Sequence, residues 1–485
     1  MGKNKRIITM VVALFFTFVF GYVCPTWGTV TPIGLKILGA LLGWLVLAAS
    51  GFGLLVPSLI ALVAMALSGY YTATEIISNG IGSTVNILVI FIFVLVEVFS
   101  SSKTAEYIVR AFLSRKFVNG HPYMLTATFL ITMVALGTIV GSLGIIMLAI
   151  VLLENIVSIA GIKMTDDWVR FLLISIVALS GVTELLFPFK PFAQIFIGLF
   201  NSSLSNVGYA VNEGTYMLTG VIVAVIAIML LMLEARFIFH FDFEKLKALD
   251  TSVLKTNEFT KMSKKQGIIL ITVLLSFLFP TIIMLFPKAS TVYMTLNGIG
   301  QTLFMAACVA FLSIVKVDGE PIMSPARVFA KAVNWDIIFA IASVSLLGGA
   351  LGAENAGFTP WLLGIFTDLF NHISIIPIII LTAILSCFLT QVFSNLATGM
   401  ILCSVLAPLS ILLFNRGINV SVFPAIIGIG VCAACLLPSS SGQAAIMLSS
   451  DIFENGSSWA LKKGVYVLVA VTIACMLSGT IVSCI

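Results

Sequence analysis

Two apolar runs, Ile373 to Leu389 and Met400 to Leu413, are parted by a short polar stretch, Gln391-Val392-Phe393-Ser394-Asn395-Leu396-Ala397-Thr398-Gly399. A chain in lipid cannot leave backbone N–H and C=O groups bare. A polar break at membrane depth must therefore be buried in protein or line an aqueous cavity. The economical fold for 373–414 is a re-entrant helical hairpin with its tip near the membrane centre. Loose backbone groups and Ser, Asn and Thr side chains at that tip can then bind a solute. The competing arrangement is an ordinary helix pair with a polar turn outside.

The setting is a membrane. Of 485 residues, 60% are hydrophobic and only 9% are charged, whereas a soluble domain carries about 25% charged residues. Lys3, Lys5 and Arg6 precede an apolar run to Val23, as in a secretory signal. No small-residue cleavage site follows, so this segment is expected to be a retained first helix. The net charge of +5 reports where loops lie and implies no nucleic-acid partner. Cys432 and Cys435 form a CxxC within the apolar run Ile426 to Leu437 and are read as helix packing. His121, His240 and His372 lie near span ends without ligand spacing.

Spans of about 17 to 25 apolar residues are expected near 6–23, 33–50 and 54–70, with an interrupted one over 86–114. The run 122–160 is broken at Gly137-Thr138-Ile139-Val140-Gly141-Ser142-Leu143-Gly144, and 166–203 at Gly181 and at Pro188-Phe189-Lys190-Pro191. A span at 214–235 closes this half. After a basic connector, 236–266, come spans at 267–286 and 293–316 and an interrupted one at 335–370. The hairpin 373–414, a broken helix at 420–453 and a span at 463–484 follow.

The two halves match. Thr84-Val85-Asn86-Ile87 parallels Ala332-Val333-Asn334-Trp335, Gly141-Ser142 parallels Ser394-Asn395, and the Pro188/Pro191 break parallels Pro438-Ser439-Ser440-Ser441-Gly442-Gln443. Interrupted segments at corresponding places in two halves point to a transporter binding site. The expected fold is thus all-α and polytopic: two inverted repeats, about 11 transmembrane helices and two re-entrant hairpins. The divisions are an N-terminal helix (1–32), a first repeat (33–235), a cytoplasmic connector (236–266) and a second repeat (267–485).

Basic residues set the orientation. With the N-terminus cytoplasmic and both hairpins returning to their own side, Lys36, Lys288 and Arg416 lie outside and Lys190 lies within the membrane. All other Lys and Arg residues are then cytoplasmic, and the C-terminus is extracellular. Reading either hairpin as a single crossing spoils this asymmetry.

In its order of inverted repeats the chain resembles the divalent anion–sodium symporters (the DASS family), the dicarboxylate and citrate transporters of the ion transporter superfamily. Val333-Asn334-Trp335-Asp336 leading to Leu346-Leu347-Gly348-Gly349-Ala350 carries the likeness, as does Ser394-Asn395 at a hairpin tip. The resemblance implies a homodimer in the cell membrane and elevator-type alternating access. It also implies a small anionic substrate held where the two tips and two unwound loops meet. It places a sodium ion at the Thr390 and Asn395 side chains and the Phe393 and Ser440 carbonyls. For substrate it implies Gly141, Ser142, Ser394, Asn395, Thr398, Ser441, Gly442 and Gln443, with Lys190 beside them. The family's tip signature is Ser-Asn-Thr. Here Leu396 replaces the second tip's Thr, and Val140-Gly141-Ser142 replaces the first tip altogether, removing the Asn that would bind a second sodium.

Lys190 stands out because an ionisable residue at membrane depth is costly and marks function by default. It is expected to replace the first sodium, or else to pair structurally with Glu184 or reach an interface. Glu184 is either that partner or a proton-titrating group. Glu97, within Ile87 to Phe99, is expected to be satisfied by a neighbouring helix. The chain shows no Ser-His-Asp arrangement, HExxH, phosphate loop or nucleotide fold. Paired broken helices near mid-depth favour a secondary carrier over an intramembrane enzyme or a channel, and the resemblance implies that it carries di- or tricarboxylates, sodium-coupled through the second half. A sodium-independent exchanger or proton-coupled carrier is the alternative.

Overall fold

The computed structural model describes residues 3–50, 52–248, 261–284, 286–287, 290–438 and 440–484. Lys288, Ser439 and residues 249–260 of the connector lie outside the described residues. Among the described residues the chain is almost wholly helical, with one two-stranded ribbon, β1 (Lys316–Val317) paired antiparallel with β2 (Glu320–Pro321). Among the described residues, ten helices are long and apolar enough to cross a membrane, and four shorter apolar helices accompany them.

The first half runs α1 (Lys3–Phe15), carried on through a π-helical turn to Val23, then α2 (Pro32–Ala49) and α3 (Leu55–Ser68). After α4 (Thr84–Ser101) and α5 (Thr104–Leu113) come α6 (Pro122–Val140) and α7 (Ser142–Ala160), joined at Gly141 alone. The broken helix is α8 (Asp167–Ala178), α9 (Ser180–Leu185) and α10 (Pro191–Leu204), and α11 (Glu213–Phe237) ends the half. A short α12 (Glu244–Lys247) follows. The second half runs α13 (Lys264–Met284), α14 (Thr291–Ile314), α15 (Pro325–Ala332), α16 (Trp335–Gly352) and α17 (Phe358–His372). It continues with α18 (Ile375–Leu389) and α19 (Asn395–Asn415), the broken pair α20 (Val422–Cys432) and α21 (Gly442–Ser449), and α22 (Ser457–Ser483). Asn86 and Asn334, matched in sequence, both stand at the start of a long helix.

Both helix pairs close on themselves. Beyond the far ends of α6 and α7, Lys245 of α12 donates to the Gly161 carbonyl at 2.9 Å. The Lys247 carbonyl lies against Gly120, 3.5 Å from where a Cβ would stand. One short helix thus touches both ends of the first pair. In the second, Arg416 donates to the Ile373 carbonyl at 3.0 Å.

Three boundaries differ from the sequence expectation. The first discontinuity of the broken helix falls at Leu179, not Gly181. Gly181 instead marks a close crossing, where a Cβ would lie 2.2 Å from the Ile429 carbonyl oxygen. Only a glycine lets α9 and α20 approach that far. α20 ends at Cys432, so the unwound loop opens before Pro438, and Cys435 lies in the loop rather than in a helix. α22 begins at Ser457, ahead of the expected 463. Asp167 accepts from Trp459 at 2.7 Å and pairs with Lys463, which lets that polar first turn stay helical. Glu97 is met by Lys331 of α15 at 2.6 Å, as a neighbour-satisfied carboxylate should be.

Candidate functional site between two hairpin tips

The tips and loops surround one cavity of about 540 Å³. The first tip contributes Gly141 and Ser142, the second Ser394 and Asn395. Glu184 and Lys190 come from the first broken helix, and Ser440, Ser441, Gly442 and Gln443 from the second. Four helices of the tips and loops therefore begin on the cavity wall: α7, α10, α19 and α21. Each helix start carries unsatisfied N–H groups and about half a positive charge. Asn334 at the start of α16 completes the rim, a residue the sequence comparison placed but gave no role.

Local chemistry sets these starts. Ser394 caps α19 by accepting from Ala397 N–H at 3.3 Å, and Ser441 caps α21 by accepting from Ala444 N–H at 3.0 Å. The first tip turns in a single residue. Gly141 has φ 88° and ψ 162°, a conformation open essentially to glycine alone. Gln443 reaches across and donates to the Ser142 hydroxyl at 2.8 Å, joining the second loop to the first tip.

At the second tip the Thr390 hydroxyl donates its one proton to the Val431 carbonyl at 2.6 Å. The Asn395 amide sits 3.1 Å from the Ser440 carbonyl oxygen, 3.2 Å from that of Val431 and 3.0 Å from the Thr390 hydroxyl. With its nitrogen toward them the amide donates to all three. With its oxygen toward them, the only proton among the four oxygens is that of the Thr390 hydroxyl, which leaves the set short of donors and suited to a cation. Hard oxygen donors of this kind suit small hard cations.

The first half lacks that cluster. Gly137 stands where Thr390 stands in the second half, and the space beside it is filled by the Thr183 side chain, 2.5 Å from where a Cβ would lie. Lys190 occupies the region instead. Its side chain is only 3% exposed, and its ammonium donates to the Thr183 carbonyl at 2.5 Å. The Glu184 carboxylate lies 3.8 Å from that ammonium. Ser441, the corresponding helix-capping residue, likewise reaches back seven residues, to the Ala434 carbonyl at 2.9 Å.

Three expected site residues are not among those lining the cavity: Thr390, fully buried in the oxygen cluster, Thr398 and Phe393. Thr398 is 2% exposed and buried in α19, its hydroxyl without a hydrogen-bond partner. Phe393 lies on the tip and is 55% exposed. One residue carries more than the sequence assigned it: Gln391 is 5% exposed and laces the tip to the unwound loop 433–436.

The helical fold, its spans and this cavity define a polytopic membrane transporter. The citrate transporter family (CitMHS) matches residues 44–430, and the chain belongs to that family. The match is to a relative of the divalent anion–sodium symporters within the ion transporter superfamily, not to that family itself. A stretch of 76 residues is 33% identical to the uncharacterized transporter sll0640 of Synechocystis sp.. That stretch is 16% of this chain and 12% of that protein's length.

Proposed function

We propose that the chain is a secondary active carrier of small citrate-like anions, working through the cavity between the two tips. The observation that carries this is the convergence of four helix starts on one cavity. Together they offer N–H donors and positive potential to a multiply charged carboxylate. The citrate transporter family supports the same anion class.

Sodium is the proposed coupling ion, held by Thr390, Asn395 and the Val431 and Ser440 carbonyls. Lys190 is proposed as a fixed ammonium in place of a first sodium, so one sodium rather than two accompanies each substrate. Elevator-type movement, a homodimer, and a cell-membrane location with a cytoplasmic N-terminus and extracellular C-terminus belong to the same proposal. A second reading has its own support. The Asn395 amide can satisfy the oxygen cluster unaided by donating to it, which favours sodium-independent exchange or proton coupling.

The test is uptake of labelled citrate and small dicarboxylates into proteoliposomes, with and without an inward sodium gradient. Saturable, sodium-driven uptake with a Hill coefficient near one for sodium is expected. A Hill coefficient well above one overturns the role given to Lys190. Uptake indifferent to sodium moves coupling to the second reading, and no transport of any of these anions overturns the carrier itself.

A further inference from the structure

The anion position at the first tip is already filled by the protein. Ser142 opens α7, and its N–H donates to Glu184 Oε1 at 2.5 Å. Glu184 Oε2 faces the Lys190 ammonium at 3.8 Å. Glu184 keeps 24% of its side chain exposed on the cavity wall, against 3% for Lys190. An incoming anion on this side therefore meets a carboxylate, with the ammonium sealed behind it. A substrate carboxylate and Glu184 compete for the same N–H and ammonium, because like charges held that close repel.

We propose that Glu184 is a tethered stand-in for the substrate. While the carrier is empty it fills the anion position and neutralises Lys190. When a substrate carboxylate arrives, Glu184 swings off Ser142 and Lys190 toward the open side of the cavity, and the substrate takes over both contacts. This rests on the cavity being the substrate site. Two consequences follow from the charges alone. Glu184 competes with substrate, so it lowers apparent affinity by the fraction of time it occupies the position. It also lets the empty carrier cross the membrane without an unpaired buried ammonium, which is costly. Net transport needs that empty return; exchange of substrate for substrate does not.

The experiment compares net uptake of labelled citrate into empty proteoliposomes with exchange into citrate-loaded ones, using the full chain. For Glu184→Gln, exchange should persist with its half-saturation concentration lowered by roughly three- to tenfold. Net uptake should fall by roughly tenfold or more relative to exchange. Adding Lys190→Met removes the orphaned ammonium and should bring the net-to-exchange ratio back toward wild type. Glu184→Asp keeps the charge with a shorter reach and should give an intermediate ratio, which carries the test if Glu184→Gln is not recovered folded. Net uptake and exchange falling in equal proportion, or an affinity unchanged or weakened in Glu184→Gln, overturns the proposal. A wild type that neither exchanges nor accumulates any citrate-like anion overturns the transport reading, and this inference with it.

Discussion

Gln391 accepts the backbone N–H of Cys435 at 3.1 Å, and the same Oε1 accepts Leu436 N–H at 3.1 Å. Its amide nitrogen donates to the Ala433 carbonyl at 3.1 Å and the Cys387 carbonyl at 2.7 Å. A single side chain at the second tip thus supplies three of the hydrogen bonds that the chain forgoes where α20 stops at Cys432, those of Ala433, Cys435 and Leu436. An unwound segment at membrane depth survives only if its polar groups are met by protein.

Gln391→Leu keeps the volume and removes those partners. Each buried group left unpaired costs about 1–3 kcal/mol, and partial re-pairing should hold the total to about 2–4 kcal/mol. The melting temperature in detergent should fall by several degrees, and any sodium dependence of melting should weaken with it. A variant as stable as wild type would show that the loop finds its hydrogen bonds elsewhere.

Gly141 is the other strict requirement. Its φ of 88° with ψ 162° is strained for any side chain, at a cost of about 1–3 kcal/mol. A Cβ there would also come within 3.3 Å of Glu184 Oε1. Gly141→Ala should lower stability and weaken anion binding together. Gly161 supplies the control: it too has positive φ, 63°, but nothing lies within 4 Å of its Cβ position. Gly161→Ala should cost stability without changing the half-saturation concentration for substrate. Equal effects of the two on substrate affinity would separate the first tip from the binding site.

Apolar runs with polar breaks were legible because lipid forbids unpaired backbone, so composition alone marks where helices must part. The tips at Gly141-Ser142 and Ser394-Asn395 and the loops at Lys190 and Ser441 were visible in this way, and all four line one cavity. The partners of Gln391 were not visible, since they are backbone groups of residues 433–436 that any sequence would offer. The same holds for Glu184: its bond to Ser142 N–H spans 42 residues and leaves no mark on spacing. The Gly181 crossing was mistaken for a break because a glycine in a helix has the same appearance whether it bends the chain or admits a neighbour.

The re-entrant topology is proposed, and the closed ends of the two helix pairs support it. Asn119 and Gly161 flank the first pair, Asn371 and Gly417 the second. Single cysteines placed at these positions in a cysteine-free background should label from one side within each pair, cytoplasmic for the first and extracellular for the second. Opposite accessibility within either pair would replace that hairpin by a membrane crossing and reverse every loop after it.

Asn395 gives the sharpest test of the cation site, because its amide can serve the Thr390, Val431 and Ser440 oxygens in two ways. As donor it closes the cluster without an ion; as acceptor it needs one. Asn395→Asp removes the donor and leaves a carboxylate facing two carbonyls and a hydroxyl whose proton is already given to Val431. Apart from protonation of that carboxylate, a cation is what can relieve the cluster, so at neutral to alkaline pH the folded state should come to depend on sodium more steeply than in wild type. Asn395→Ala removes both the donor and the fourth oxygen, and should be less stable and indifferent to sodium. A ligand that binds only the folded state at a hundred times its dissociation constant adds about 2.7 kcal/mol, enough to read in a melting curve. The measurement is melting temperature against sodium chloride, with choline chloride holding ionic strength constant. The expected order of sodium response is aspartate, then asparagine, then alanine with none. If the alanine variant keeps the wild-type response, the ion binds elsewhere and the Thr390–Asn395 cluster is held together by hydrogen bonds alone.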